Sequence, residues 1–416
     1  MDSSGPMITN DAVAFGLLAL LLGLIMHTAY NAGPKWKRFY SVVPMVLVCY
    51  LLPSLLNTFG ILSSEGSNLW TIAKNYFLPA SLVLMTLSID LKAILRLGDK
   101  ALAMFLTGTV GIVIGGPLAI LIVSFFSPET VGGAGPEAIW RGLATLAGSW
   151  IGGGANQAAM LELYQYNPAN YSAMVTVDIV VANLWMACLL YGAANNAKID
   201  RWLGADTSAI EDVKKRLEEY HGREKLELDM PRLTAIFAIA FGTVGLCHFL
   251  GDILSPLFKS IPATSESILA SHFFWVVIIS TTTGLALSFT RVSKLEGAGA
   301  SKFGSLFIYL LVVIIGTKMD IRKIVEQPGL ILVGIIWMSI HVGLLITVAR
   351  LIRAPFFFLA VGSKANVGGA ASAPIIAAAF HPSLAPVGVL LAVLGYALGT
   401  YGAMLCAWLM QIASPV

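Results

Sequence analysis

The chain has 416 residues and a mass of 44.2 kDa, with 57% hydrophobic residues, 12% charged residues and a mean hydropathy of +0.80. Soluble domains carry about 25% charge, so a water-soluble enzyme, a nucleic-acid binder and a disordered chain are excluded, and a multi-pass integral membrane protein is indicated. The net charge of +3 is too small to imply a polyanionic partner, and the basic residues are read for topology instead.

The N-terminus lacks the basic region of a signal peptide, so the first apolar stretch, 11–30, is expected to be retained. Further runs near the length that crosses a bilayer lie at 41–60, 70–89, 101–126 and 170–194. A Gly/Pro-rich loop at 127–141 leads into a Gly-rich apolar segment, 142–164. Residues 195–232 break the apolar pattern with 8 Lys/Arg and 9 Asp/Glu. There Ser208 and Glu211 have the spacing of a capping box. Ile210, Val213, Leu217 and Tyr220 follow on one face of a short amphipathic helix that Gly222 can stop. The stretch reads as a water-exposed linker between membrane halves 1–194 and 233–416. The second half carries apolar runs at 233–254, 271–290, 303–318, 328–349 and 384–410, and a second Gly-rich segment at 355–380.

The halves resemble each other. Gly148-Ser149-Trp150-Ile151-Gly152-Gly153-Gly154-Ala155-Asn156-Gln157 corresponds to Gly362-Ser363-Lys364-Ala365-Asn366-Val367-Gly368-Gly369-Ala370-Ala371, followed by Ser372. Asn167-Pro168 matches His381-Pro382 at the same offset, and Asp90 matches Asp320 upstream. Three matches in one order indicate duplication. If each Gly-rich segment dips in and returns, or is broken midway, one set of loops collects 19 Lys/Arg and the other 5. The positive-inside rule favours that arrangement over full crossings. It predicts an all-α fold of about five spans plus one Gly-rich re-entrant or broken helix per half. Five is odd, so the second half is inverted, with the linker cytoplasmic and both termini outside.

Backbone that turns round inside a membrane needs protein, water or ligand for its polar groups. Gly152, Gly153 and Gly154 in one half and Gly368 and Gly369 in the other permit such turns, although glycine also serves simple helix packing. Ser149, Asn156 and Gln157 flank the first cluster, and Ser363, Lys364, Asn366 and Ser372 flank the second. Polar groups at this depth are costly unless they face a cavity or a partner, so the two clusters are expected to meet in a substrate site. Asp178, inside the run 170–194 and opposed by Ala392 in the other half, is a candidate Na+ ligand or proton carrier. Thr176 and Asn183 are candidate further oxygen ligands. The alternative is a structural pair of Asp178 with Lys364 or another buried donor. Asp90 and Asp320 read as interfacial caps. Thr281-Thr282-Thr283 can line a path or bond back to their own helix. His341 reads as a satisfied buried imidazole, and Cys49, Cys188, Cys247 and Cys406 have no metal or redox spacing.

At the Gly-rich pair the chain resembles the YjcL-like membrane proteins, a domain-of-unknown-function family, over nearly its whole length. More distantly it is similar to the superfamily of Na+/H+ antiporters, bile-acid symporters, glutamate:Na+ symporters and 2-hydroxycarboxylate symporters. That resemblance implies a scaffold, a mobile body moving as an elevator, and a homodimer. The expected function is a secondary active transporter for a small polar or anionic solute, coupled to Na+ or H+, in a bacterial inner membrane among its lipids. The alternatives are an ion-only antiporter, a channel and an intramembrane enzyme. No HExxH, GxSxG, GxGD or Walker A sequence occurs, so no catalytic residue, cofactor or ATP is expected.

Overall fold

The computed structural model describes residues 7–31, 33–62, 67–218, 225–320, 322 and 326–415. Among the described residues the chain is helical, with no strand beyond a single bridge between Ile8 and Leu62. All ten apolar runs form helix. Among the described residues six helices are long and apolar enough to cross a membrane: Asp11–Tyr30, Asp99–Phe126, Tyr171–Ala194, Met230–Ser260, Gly329–Leu351 and Ala385–Ala413. Met45–Thr58, His272–Ser288 and Ala300–Gly316 are shorter. The run at 70–89 is one helix in three parts, Leu69–Ile72, Ala73–Phe77 and Leu78–Leu87, the middle part wound as a π-helix.

Side-chain caps set several boundaries. Asn10 accepts from the N–H groups of Ala12 and Val13, Asp229 from Arg232 and Ser271 from Phe274. Asp90 caps Ala93, as its place in the sequence suggests, and Asp320 pairs with Arg322 at 2.8 Å. The capping box at Ser208 does not form. The Ser208 hydroxyl donates to Asp206 at 2.6 Å, and Glu211 pairs with Lys214. The helix Ser208–Glu218 does bury Val213. Tyr220 and Gly222, expected on the same apolar face and at its end, lie outside the described residues.

The helices pack in two groups. Asp11–Tyr30, Met45–Thr58, 69–87, Met230–Ser260, His272–Ser288 and Ala300–Gly316 form one. Asp99–Phe126, the two Gly-rich segments, Tyr171–Ala194, Gly329–Leu351 and Ala385–Ala413 form the other. Polar contacts stitch the seam between them. Thr281 meets Thr400 at 3.0 Å, Thr282 meets Tyr401 at 2.7 Å, and Ser172 donates to the Asp320 carbonyl at 2.6 Å. Lys74, in the π-helical turn, pairs with Glu162.

Tertiary contacts also define two ends. At one, Lys100 binds Asp206 at 2.9 Å, Asp206 N–H bonds the Arg353 carbonyl, Phe356 N–H bonds Asp200, and Leu226 N–H bonds the Gly297 carbonyl. This end gathers the basic stretch at 92–100, the linker, 291–302 and 350–353. The start of Gly329–Leu351, the loop after Asp99–Phe126 and the C-terminus meet at the other end, where Gly329 lies against Thr130 and Gly132 against Pro415.

Candidate functional site

The first Gly-rich segment is two helical arms, Ile139–Gly152 and Gly154–Leu163, joined at Gly153. Gly153 has φ +77°, in the region that favours glycine. The arms return to the same end. The Arg141 guanidinium donates to the Tyr164 carbonyl, the Trp140 and Tyr164 rings meet edge-on at 5.5 Å, and Asn167 N–H bonds the Pro136 carbonyl at 2.9 Å. The second segment repeats the form with Phe356–Asn366 and Gly369–Phe380, turning at Gly368 with φ +123°. At its root the Phe356 and Phe357 rings lie 6.0 and 5.3 Å from Phe380. Both segments are therefore re-entrant hairpins rather than broken crossing helices. The first is rooted at the C-terminal end and the second at the linker end, so their tips approach from opposite sides.

Between the tips lies a partly open cavity of about 260 Å³, also walled by Val46 and Tyr50. Ser149, Gly153, Gly154 and Gln157 line it from the first hairpin, Lys364, Gly368, Ala371 and Ser372 from the second, and Asp178, Ala182 and Asn183 from Tyr171–Ala194. The Asp178 carboxylate accepts from the Ser149 hydroxyl at 2.6 Å, the Trp150 indole at 2.7 Å and the Gln157 amide at 3.1 Å. All three donors are neutral, so these hydrogen bonds solvate the carboxylate without supplying a counter-charge. The Lys364 ammonium donates to the Ala182 carbonyl at 3.0 Å and makes no ion pair with Asp178. The Ser372 hydroxyl is buried without a partner. Both outgoing arms begin at the cavity with no side chain capping their first N–H groups, which leaves donors and the positive ends of two helix dipoles beside it. The cavity thus holds one carboxylate, one ammonium, a spare hydroxyl and spare backbone donors, a set suited to a small polar or charged molecule.

Residues 16–412 match the family described as Protein of unknown function (DUF819). The chain belongs to the DUF819 family. It is also 26% identical over 382 residues to Uncharacterized membrane protein YjcL of Bacillus subtilis (strain 168), covering 88% of this chain and 89% of that protein. This is the family that the Gly-rich pair resembles, and with several apolar helices it identifies a membrane protein.

In this DUF819 chain some polar residues expected at the site hold the hairpins instead. Asn156 donates to the carbonyls of Gly152 and Tyr396 and accepts from Thr400 at 2.6 Å. Asn366 does the same work in the second hairpin, donating to Gly362 and Phe105 and accepting from Thr109 at 2.8 Å. Both side chains are fully buried and satisfied. Gly152 packs on the helix Ala385–Ala413, where a Cβ would come 2.7 Å from the Gly399 Cα. Gly369 supplies a second positive φ at its turn and does not line the cavity. Ser363 accepts from the Trp185 indole at 2.8 Å and reaches His341 Nε2 at 2.8 Å, while His341 Nδ1 donates to the Gly108 carbonyl. His341 is the satisfied imidazole the sequence suggests. The Thr176 hydroxyl turns back to Ser172 and is not among the cavity-lining residues. Asn183 lines the cavity, though its amide donates to Ile179. Thr281 and Thr282 lie on the seam. Sequence reasoning missed Trp150, the indole donor to Asp178. It neighbours Ser149 in the Gly-rich motif, and that adjacency was the available signal.

Proposed function

We propose that this protein is a secondary active transporter that moves a small polar or anionic organic solute across a bacterial cytoplasmic membrane, coupled to Na+ or H+. One observation carries this reading: two opposed re-entrant hairpins meet around a cavity holding Asp178, Lys364 and an unpartnered Ser372 hydroxyl. Backbone folded back at membrane depth requires satisfaction by protein, water or ligand, and a hairpin tip with free N–H groups meets an anion well. Lys364 and the Gly369–Phe380 N-terminus form the anion side. Asp178 forms the cation side, for Na+ or a proton. Thr176 is left out of that ligand set because it is not among the residues that line the cavity.

The opposed roots fit halves 1–194 and 233–416 related by inversion, with the linker cytoplasmic. The two helix groups fit a scaffold and a mobile body in elevator-type alternating access, and a homodimer would pair the scaffold groups. Uptake into proteoliposomes of a panel of small organic acids, peptides and amino acids, under an imposed Na+ gradient and separately a pH gradient, tests the reading. Solute accumulation under either gradient supports it. Cation exchange without solute means an ion-only antiporter. Movement of neither solute nor ion refutes both.

A further inference from the structure

Outside the cavity, a groove of about 420 Å³ runs along the outer surface between Tyr171–Ala194 and Gly329–Leu351. Leu184, Trp185 and Cys188 form one wall and Met338, Val342 and Ile346 the other. Both helices finish at the linker end, so the groove points towards it. On a helix of 3.6 residues per turn, the wall stripe Ser339, Val342, Ile346 continues to Arg350, one turn nearer that end. The Arg350 guanidinium lies 4.2 Å over the Trp202 ring and donates to the Trp202 carbonyl. Trp202 is 54% exposed, on the short helix Asn196–Leu203 that also displays Lys198 and Arg201. Among the described residues no carboxylate pairs with Lys198, Arg201 or Arg350.

An apolar slot within the span region, opening under a basic and aromatic rim where the helices end, matches the two parts of one molecule. Acyl chains fill apolar slots at that depth, interfacial tryptophans sit at headgroup level, and cations there attract lipid phosphate. We propose that this groove binds an anionic phospholipid of the leaflet at the linker end, one acyl chain lying against Trp185 and the phosphate held by Arg350 with Lys198 and Arg201. The bound chain would touch the same indole whose N–H holds Ser363, the neighbour of Lys364 in the second hairpin.

Cys188 makes the groove directly readable. It is exposed, whereas Cys49, Cys247 and Cys406 are buried, so maleimide alkylation of the detergent-purified full chain reports on Cys188. Phosphatidylglycerol is expected to slow that alkylation severalfold and to raise the melting temperature. Phosphatidylcholine with the same chains should do so far less, and inorganic phosphate alone should leave Cys188 fully reactive. Arg350→Gln, and independently Lys198→Gln with Arg201→Gln, should abolish the preference for phosphatidylglycerol without lowering the melting temperature in lipid-free detergent. Equal protection by the two lipids, protection by neither, or protection by inorganic phosphate alone overturns the proposal. So does protection that follows protein concentration rather than lipid, which would place a second copy of the chain over the groove.

Discussion

Asp178 and Ser372 are the residues whose roles separate most sharply from their surroundings. Asp178→Asn keeps the size of the side chain, and the Ser149 hydroxyl and Gln157 amide can reorient to meet an amide. The fold is therefore expected to survive while gradient-driven accumulation of solute is lost, because Asn neither releases a proton nor offers Na+ a negative charge. Wild-type accumulation by Asp178→Asn proteoliposomes would make Asp178 structural. Ser372→Ala removes a hydroxyl with no protein partner, so the melting temperature should hold while solute affinity falls by about 1 kcal/mol, roughly fivefold. Asn156→Ala should behave in the opposite way. It deletes three hydrogen bonds of a buried side chain and leaves the Thr400 hydroxyl only Thr281, costing about 2–4 kcal/mol of stability by thermal or denaturant melting. That contrast marks the limit of legibility at this scale. The sequence places Asn156 and Ser372 equally beside glycines, but Asn156 is held by Thr400 and Tyr396, far away in the chain, while the Ser372 hydroxyl has no partner. Asp178 stands out in the sequence because a charge inside an apolar run is visible without any contact map, whereas its indole donor is not.

At the scale of elements, the hairpins were legible through glycine and proline punctuation and through charge counts, which disfavoured full crossings. Their return to the same end needed the root contacts, such as Trp140 with Tyr164 and Phe357 with Phe380. Gly153 and Gly368 turn with positive φ, so an alanine at Gly153 is expected to cost about 1–2 kcal/mol from backbone strain, read as a lower melting temperature. The π-helical turn at Ala73–Phe77 had no signal in the periodicity, because Leu78–Leu87 beyond it is buried all round and has no polar face whose phase an extra residue would shift. The linker is tied to the second hairpin's root through Asp206. The Ser208 hydroxyl, then the Lys100 ammonium, hold the Asp206 carboxyl at about 2, against 3.8 for the free group. A depressed carboxyl stabilises the folded form above its unfolded value and loses that contribution as pH falls through the folded one. The protection of the 200–206 amides, taken relative to their intrinsic exchange rate at each pH, should therefore be constant above about pH 4 and fall as pH approaches about 2. Asp206→Asn should show lower protection already at neutral pH and little further change over the acid range. A wild-type profile without acid dependence there would mean that the Lys100 contact does not order the linker.

For the whole molecule, the division into two helix groups was invisible in the sequence, since every apolar run looks alike and group membership depends on which faces meet. The seam gives it a test. Thr281 and Thr400 face each other with hydroxyls 3.0 Å apart, so Thr281→Cys with Thr400→Cys, in a chain without native cysteines, is expected to cross-link on oxidation. If the groups slide past each other during turnover, the cross-link should stop uptake and reduction should restore it, while solute binding persists. Full uptake by the oxidised protein would rule out sliding along this seam. The charge content of the cavity has an electrical consequence. Its two formally charged side chains, Asp178 and Lys364, are of opposite sign, so an unloaded site carries no net charge of its own. Each elementary charge moved through 100 mV is worth about 2.3 kcal/mol. An empty return stroke would thus be nearly insensitive to membrane voltage, and the current per cycle would count the charges of the cargo and its coupling ion alone.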